Sequence, residues 1–388
     1  MTGMSGTDDA RTADAAHPAA ATLTVIGDVV FGGPFAADPV ALAARVDPAV
    51  LALLRADACV ANLECVLADA PPGPVDHGVD FPMLGPRRSI EALRRLGVDV
   101  VTLGNNHTKD YGAAGLDSTL QVLDAAGLAH FGAGLNVAEA ARLLVLERGG
   151  LRIGLIGSGS NPATRTRAGS LPLDWALLRR LVKAARRQCD FVVVYFHGGI
   201  EGTHYPKKVT VSACRRLVDC GADLVVGTHP HTVQGMEVYH GVPIFYSIGN
   251  FIAPMHLPAE LEVWRRQTAL AKTGFALDPA VVSRALVLKV ALRRGRPVEA
   301  RAVPLRMGDD GLPQALAGAE LKEAETFFAG LSAAFDHPDD PAWRLRDEIE
   351  RVTDRLGVLD FDPGFVLRNL HHIRPRHVIE LVKRLLAR

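Results

Sequence analysis

Leu224-Val225-Val226-Gly227-Thr228-His229-Pro230-His231 is the stretch that decides the fold. Its first half is a short apolar run bounded by glycine, which reads as a buried strand. Its second half sets two imidazoles around a proline just past the strand's end. Packing alone gives no reason for that pair. A site beyond the carboxyl end of a parallel strand does, because ligands of open α/β sheets bind there. The same arrangement recurs along the chain. Val25-Ile26-Gly27 runs into Asp28, and Val60-Ala61-Asn62-Leu63 into Glu64. Val101-Thr102-Leu103-Gly104 runs into Asn105-Asn106-His107, the apolar run 192–196 into His197, and Tyr246-Ser247-Ile248-Gly249 into Asn250. Six strand ends therefore carry Asp, Glu, Asn or His, and the βα order brings them to one side of a sheet.

Between the strands lie amphipathic stretches. Strands are expected at 23–27, 58–63, 99–103, 151–156, 191–196, 223–227 and 243–247. Helices are expected at 89–96, 115–126, 175–188 and 209–220. Their alternation implies βα units and a largely parallel sheet with both faces covered. Gly97, Gly127 and Gly221 each follow a helical stretch, where a left-handed residue ends a helix. Residues 283–293 and 298–303 alternate around Arg294-Gly295-Arg296, the pattern of a hairpin at a sheet edge. Past Gly308-Asp309-Asp310-Gly311 the chain reads as helical over 316–335, 343–356 and 365–388. Three parts follow: a disordered leader (1–21), one main domain (22–307) and a helical C-terminal extension (308–388).

Composition narrows the function. Of 388 residues, 43 are Lys or Arg and 43 are Asp or Glu, so the chain lacks the basic excess of a general nucleic-acid binder. Its hydrophobic share, 48%, suffices for a real core. No apolar run approaches the roughly 20 residues of a membrane-spanning helix. Residues 1–21 lack the basic and apolar regions of a signal peptide. The five cysteines form no CxxC pair and read as buried small hydrophobes. A cytoplasmic protein without membrane or nucleic-acid partners is the expectation.

The ligand types point to divalent metal. Carboxylate, amide oxygen and imidazole suit Mn, Fe or Zn better than a metal that prefers thiolate. A carboxylate can bridge two ions about 3.5–4 Å apart, and a His-x-His segment can serve one ion with each ring.

The ordered set Gly27-Asp28, Asn62-Leu63-Glu64, Asn105-Asn106-His107-Thr108, Asp110-Tyr111-Gly112, His197-Gly198-Gly199, Glu201, Gly227, His229-Pro230-His231 and Tyr246-Ser247-Ile248-Gly249-Asn250-Phe251 resembles the CapA family of capsule-synthesis, or poly-gamma-glutamate biosynthesis, proteins. That family is related to the calcineurin-like metallophosphoesterases. The resemblance spans about residues 22–305. It implies a metallophosphoesterase-like four-layer α/β/β/α sandwich of two mixed sheets. It also implies one or two divalent ions (Mn, Fe or Zn), with Asp28 and His231 on the first, Asn106, His197 and His229 on the second, and Glu64 bridging. His107 then matches the histidine that serves the leaving group. The implied activity is a dinuclear-metal hydrolase in which hydroxide held by metal attacks a small anionic substrate. Two positions depart from the phosphoesterase pattern: Val30 stands where a His is usual, and Glu64 where Asp is usual. Within the CapA pattern, Gly198 replaces a common Trp and Gly202 a common Tyr.

Further residues near the site follow from position. Asp110 either orients His107 or caps the helix after it. Glu201, His204 and Asn250 are the candidate substrate-binding residues, the first two on the loop after His197, where such residues concentrate, and Asn250 at a strand end, where its side chain either backs the ligands or ties off a turn. Two other functions compete with hydrolysis: metal-dependent transfer or amide-bond chemistry on a γ-glutamyl or other carboxylate substrate, and non-catalytic service to a polymer synthase.

Overall fold

The computed structural model describes residues 19–336, apart from 78, 80, 200 and 261–281. The helices expected at 343–356 and 365–388, and nearly all of the leader, lie outside the described residues. The expected strands are present. They form two mixed sheets, as the resemblance implies, rather than the one parallel sheet that their alternation with helices suggests. The eight-stranded sheet runs in the order Pro313–Ala315, Glu299–Met307, Arg284–Arg293, Ala20–Val29, Ala58–Leu63, Val100–Thr102, Ala129–Phe131, with Asn250–Ile252 also paired to the end of Ala20–Val29. The six-stranded sheet runs Met236–Tyr239, Val242–Phe245, Leu224–Thr228, Phe191–His197, Leu151–Ser158, Leu144–Arg148.

Side-chain alternation explains the layering. Along Phe191–His197, Val193 and Tyr195 enter an apolar cluster shared by the two sheets. Their neighbours Val192, Val194 and Phe196 enter a second cluster with Leu178 and Val182 of the helix Trp175–Ala185 and Cys214 and Leu217 of the helix Lys208–Asp219. In the other sheet Leu23, Val25, Ala58 and Val60 face the shared cluster. Ile26, Cys59, Ala61 and Leu63 face a third cluster with Leu93 of the helix Ser89–Arg95 and Leu116 and Leu123 of the helix Gly112–Ala126. Each central strand is thus apolar on both faces, which forces a layer on either side. Sheet packs on sheet, and helices cover both outer faces.

The hairpin around Arg294-Gly295-Arg296 forms as expected, with Gly295 at φ 75°. Gly97, Gly127 and Gly221 take positive φ at helix ends. Past residue 307 the chain adds Pro313–Ala315 to the edge of the larger sheet. It then forms the helix Gly318–Ala333, which packs Leu331, Phe327 and Phe328 against the cluster between the sheets. Phe335 stacks on Tyr246 at 4.8 Å between ring centroids. Among the described residues, no helix is long and apolar enough to cross a membrane. All five cysteines are unpaired, and four of them are buried.

Candidate metal centre

Backbone register builds the site. Ala20–Val29 and Ala58–Leu63 run parallel with Asp28 opposite Asn62, and Asp28 also lies opposite Asn250. Phe191–His197 and Leu224–Thr228 run parallel with His197 opposite Thr228. The chain crosses from the smaller sheet to the larger here, between Val242–Phe245 and Asn250–Ile252. A Cβ on Gly27 would fall 1.8 Å from the carbonyl oxygen of Gly249, so that position has room only for glycine. Among the described residues three non-glycine residues have positive φ, and two of them are His229 (98°) and His231 (55°). Backbone strain of this kind persists where surrounding structure enforces it. Here it bends the segment after Thr228 back over the strand ends.

The side chains meet in two overlapping groups. Asn106 Oδ1 lies 2.6 Å, His229 Nδ1 3.1 Å and Glu64 Oε1 3.2 Å from His197 Nε2. On the other side His231 Nδ1 lies 3.3 Å from Asp28 Oδ2. Candidate donor atoms of Glu64, His197 and His229 fall within 4.8 Å of one another, and so do those of Asp28, Glu64 and His231. Glu64 belongs to both groups. These groups could hold a metal ion.

Hydrogen bonding shows where valence is left open. Asn62 Nδ2 donates to Asp28 Oδ1 at 2.7 Å and also lies 3.2 Å from His197 Nδ1. Asn105 Nδ2 donates to Asn62 Oδ1 at 3.0 Å. Thr228 Oγ1 lies 3.0 Å from His197 Nδ1, which leaves Nε2 aimed at the centre. Glu64, by contrast, is 1% exposed and neither of its carboxylate oxygens has a hydrogen-bond partner. In the metal-free chain its charge is met by imidazoles, His197 Nε2 lying 3.2 Å from Oε1, and a divalent cation could take their place.

Electrostatics agree. Burial opposes charge on Glu64, but the imidazoles of His197 and His231 outweigh it and hold the carboxyl well below its usual range. Burial also opposes charge on His231, yet Glu64 and Asp28 raise it to about 10. Burial and the neighbouring His197 keep His229 neutral, the form in which imidazole ligates metal. A divalent ion therefore fits the donor set.

The structure separates the remaining expectations. His107 Nδ1 lies 2.7 Å from Asp110 Oδ2, which also accepts from the backbone N–H of Met83 at 2.7 Å. Asp110 does not cap the following helix, whose N-cap is Tyr111. Its carboxylate raises His107 against the lowering effect of burial. Glu201 is brought within 4.8 Å of His229 and His231, into the cluster itself. Two of the candidate substrate-binding residues lie deep. Asn250 is fully buried, and its Oδ1 lies 2.9 Å from His231 Nδ1. His204 is 4% exposed, with Nδ1 2.9 Å from the carbonyl oxygen of Val233 and its ring edge-on to Phe327. Both support the loop that carries His231. Asn62 was missed as a site residue. Its signal was a lone amide at the end of an otherwise apolar strand.

Fold and site together define a two-sheet α/β protein with a carboxylate–histidine centre at its strand ends. The family described as "Bacterial capsule synthesis protein PGA_cap" matches residues 22–255, and the chain belongs to that family. It is 34% identical over 173 residues to the capsule biosynthesis protein CapA of Bacillus anthracis, covering 42% of either chain. It is 33% identical over 172 residues to the PGA biosynthesis protein CapA of Bacillus subtilis (strain 168), covering 43% of this chain and 45% of that one. These alignments span less than half the length of the two Bacillus relatives. A probable polyglutamine synthesis accessory protein of Mycobacterium tuberculosis (strain CDC 1551 / Oshkosh) is 28% identical over 337 residues, covering 80% of this chain and 76% of that one. Among solved structures, a hypothetical protein from Thermus thermophilus aligns with a TM-score of 0.46 and 20% identity, over 74% of this chain and 99% of that one.

Proposed function

We propose that this chain is a metal-dependent hydrolase acting on a small anionic substrate, either a phosphorylated or a γ-glutamyl-type compound. One observation carries the reading: Glu64 stands buried between two donor groups with both oxygens unbonded. In this reading Glu64, Asp28, His231, Asn106, His197 and His229 would hold one or two ions of the Mn, Fe or Zn class. Such ions supply Lewis acidity and an attacking water that is acidic near neutrality. The protein's own groups do the rest. Asn62 and Thr228 fix the His197 ring, and Asn250 fixes His231. Asp110 holds Nδ1 of His107, so that Nε2 is the atom that gives or takes a proton at the leaving group.

A second reading, transfer or amide-bond chemistry on a γ-glutamyl substrate, draws support from the names of the Bacillus and Mycobacterium relatives. One experiment tests both. The purified chain is assayed for bound metal, then for turnover of phosphoesters and of γ-glutamyl amides with Mn²⁺, beside His229→Ala. Phosphoester or γ-glutamyl hydrolysis that is lost in His229→Ala supports the proposal. Transfer between γ-glutamyl donors and acceptors without hydrolysis favours the second reading. A folded protein that takes up no metal overturns both.

A further inference from the structure

The two halves of the centre are unequal. His197, His229, Asn106 and Glu64 surround one half. The other has three donors: Asp28, Glu64 and His231. Val30, two residues beyond Asp28, adds nothing, since it is 2% exposed and packed in the apolar cluster under the helices. Ions of this class take four or more ligands, and solvent or substrate can supply one of them.

A fourth donor stands nearby. A carboxylate oxygen of Glu201 and nitrogens of His229 and His231 lie within 4.8 Å of one another. Nor is the Glu201 loop loosely placed, because it is stitched to the segment that carries both histidines. Gly202 N–H donates to the carbonyl oxygen of Pro230 at 2.8 Å. Gln234 Nε2 donates to the carbonyl oxygen of Thr203 at 2.9 Å, and His204 Nδ1 lies 2.9 Å from that of Val233. These contacts fall on both sides of His231, so Glu201 and the two imidazoles move as one unit.

We infer that Glu201 is a third carboxylate ligand of the centre, entering it beside His229 and His231. This rests on the metal reading above and deepens it. An added carboxylate shifts the centre toward oxygen-preferring ions such as Mn²⁺ over Zn²⁺. Three carboxylates also leave a pair of divalent ions with a single positive charge in excess, matched to one anionic group of a substrate.

The test uses the full chain, stripped by chelator and titrated with Mn²⁺ alone. Bound metal is read by equilibrium dialysis, the Mn²⁺ environment by electron paramagnetic resonance, and folding by the melting temperature of the metal-free protein. Glu201→Gln is expected to weaken the looser Mn²⁺ site by about tenfold or more, with an unchanged metal-free melting temperature. Glu201→Asp keeps a carboxylate and restores part of the affinity, which separates loss of a ligand from loss of the loop. If Glu201→Gln binds Mn²⁺ like wild type while Asp28→Asn does not, the inference on Glu201 falls and the metal reading stands. If wild type takes up no Mn²⁺, Fe²⁺ or Zn²⁺, both fall.

Discussion

The two ends of the parallel strands both carry acids, and they use them in opposite ways. At the amino ends, an aspartate directly precedes each of four strands: Asp57, Asp99, Asp190 and Asp223. Each accepts a backbone N–H from an adjacent strand, from Thr22, Cys59, Arg152 and Val192 respectively, at 2.7–2.8 Å. Asp190 and Asp223 add arginine partners, Arg294 and Arg186. All four are exposed or half-buried. At the carboxyl ends Asp28 and Glu64 are 0% and 1% exposed, and Glu64 accepts no hydrogen bond. An acid that ties strands together commits its lone pairs to fixed donors. An acid kept for a cation leaves them open.

The strongest way to break this contrast is Glu64→Gln. Metal affinity should fall on the order of a hundredfold. The melting temperature of the metal-free protein should fall as well, because a carboxylate that, against burial, His197 and His231 hold below its usual range stabilises the fold near neutrality. An unchanged metal-free melting temperature would mean that those imidazoles do not stabilise its charge.

Asp110 sharpens the comparison, because it lies between the two types. One of its oxygens serves Met83 and His107, and the other has no partner. If His107 handles a proton, His107→Ala should lower turnover by roughly 10²–10⁴-fold with metal content unchanged. Asp110→Asn should lower it less, since the ring remains and only its orientation suffers. Equal metal loss in both variants would return the pair to a structural role.

The strand ends were legible because each candidate ligand follows a short apolar run, and parity then sends its neighbours to opposite faces. His197 is readable from the buried run before it, and His229 and His231 from their crowding around Pro230. What stayed hidden depends on contacts between loops far apart in sequence. Nothing in the spacing of Glu201 shows that Gly202 bonds to Pro230. His204 looks like a loop histidine until the helix Gly318–Ala333 brings Phe327 against it. Asn250 reads only as a strand-end residue, and its pairing with Asp28 shows once that strand is seen beside Ala20–Val29. Periodicity alone suggested a single sheet, and it failed for a related reason. Alternating strands and helices report that a strand is covered, but not whether a helix or another sheet covers its second face.

At the amino ends the expected effects are on stability alone. Asp223 Oδ2 accepts from Val192 N–H at 2.8 Å and from Arg186 at 2.6 Å, although burial pushes its carboxyl up. Asp223→Asn keeps an oxygen to accept both bonds and removes a charge that burial disfavours, so it should change denaturant unfolding by less than about 1 kcal/mol, with Mn²⁺ binding untouched. Altered Mn²⁺ affinity would show that the two ends are coupled through the Leu224–Thr228 strand.

The smallest effect is at Asp57, and its sign is set by pH. The backbone N–H and hydroxyl of Thr22 hold its carboxyl below the ordinary 3.8. A depressed acid stabilises the fold fully above its unfolded value, and that contribution is lost as pH falls through the folded one. The melting-temperature gap between wild type and Asp57→Asn should therefore be widest near neutrality and close as pH drops below 3.8. The site is exposed, so the gap should be small. A gap that widened in acid would mean that Asp57 is held protonated, and the contrast between satisfied and open acids would fail at the end where it is simplest.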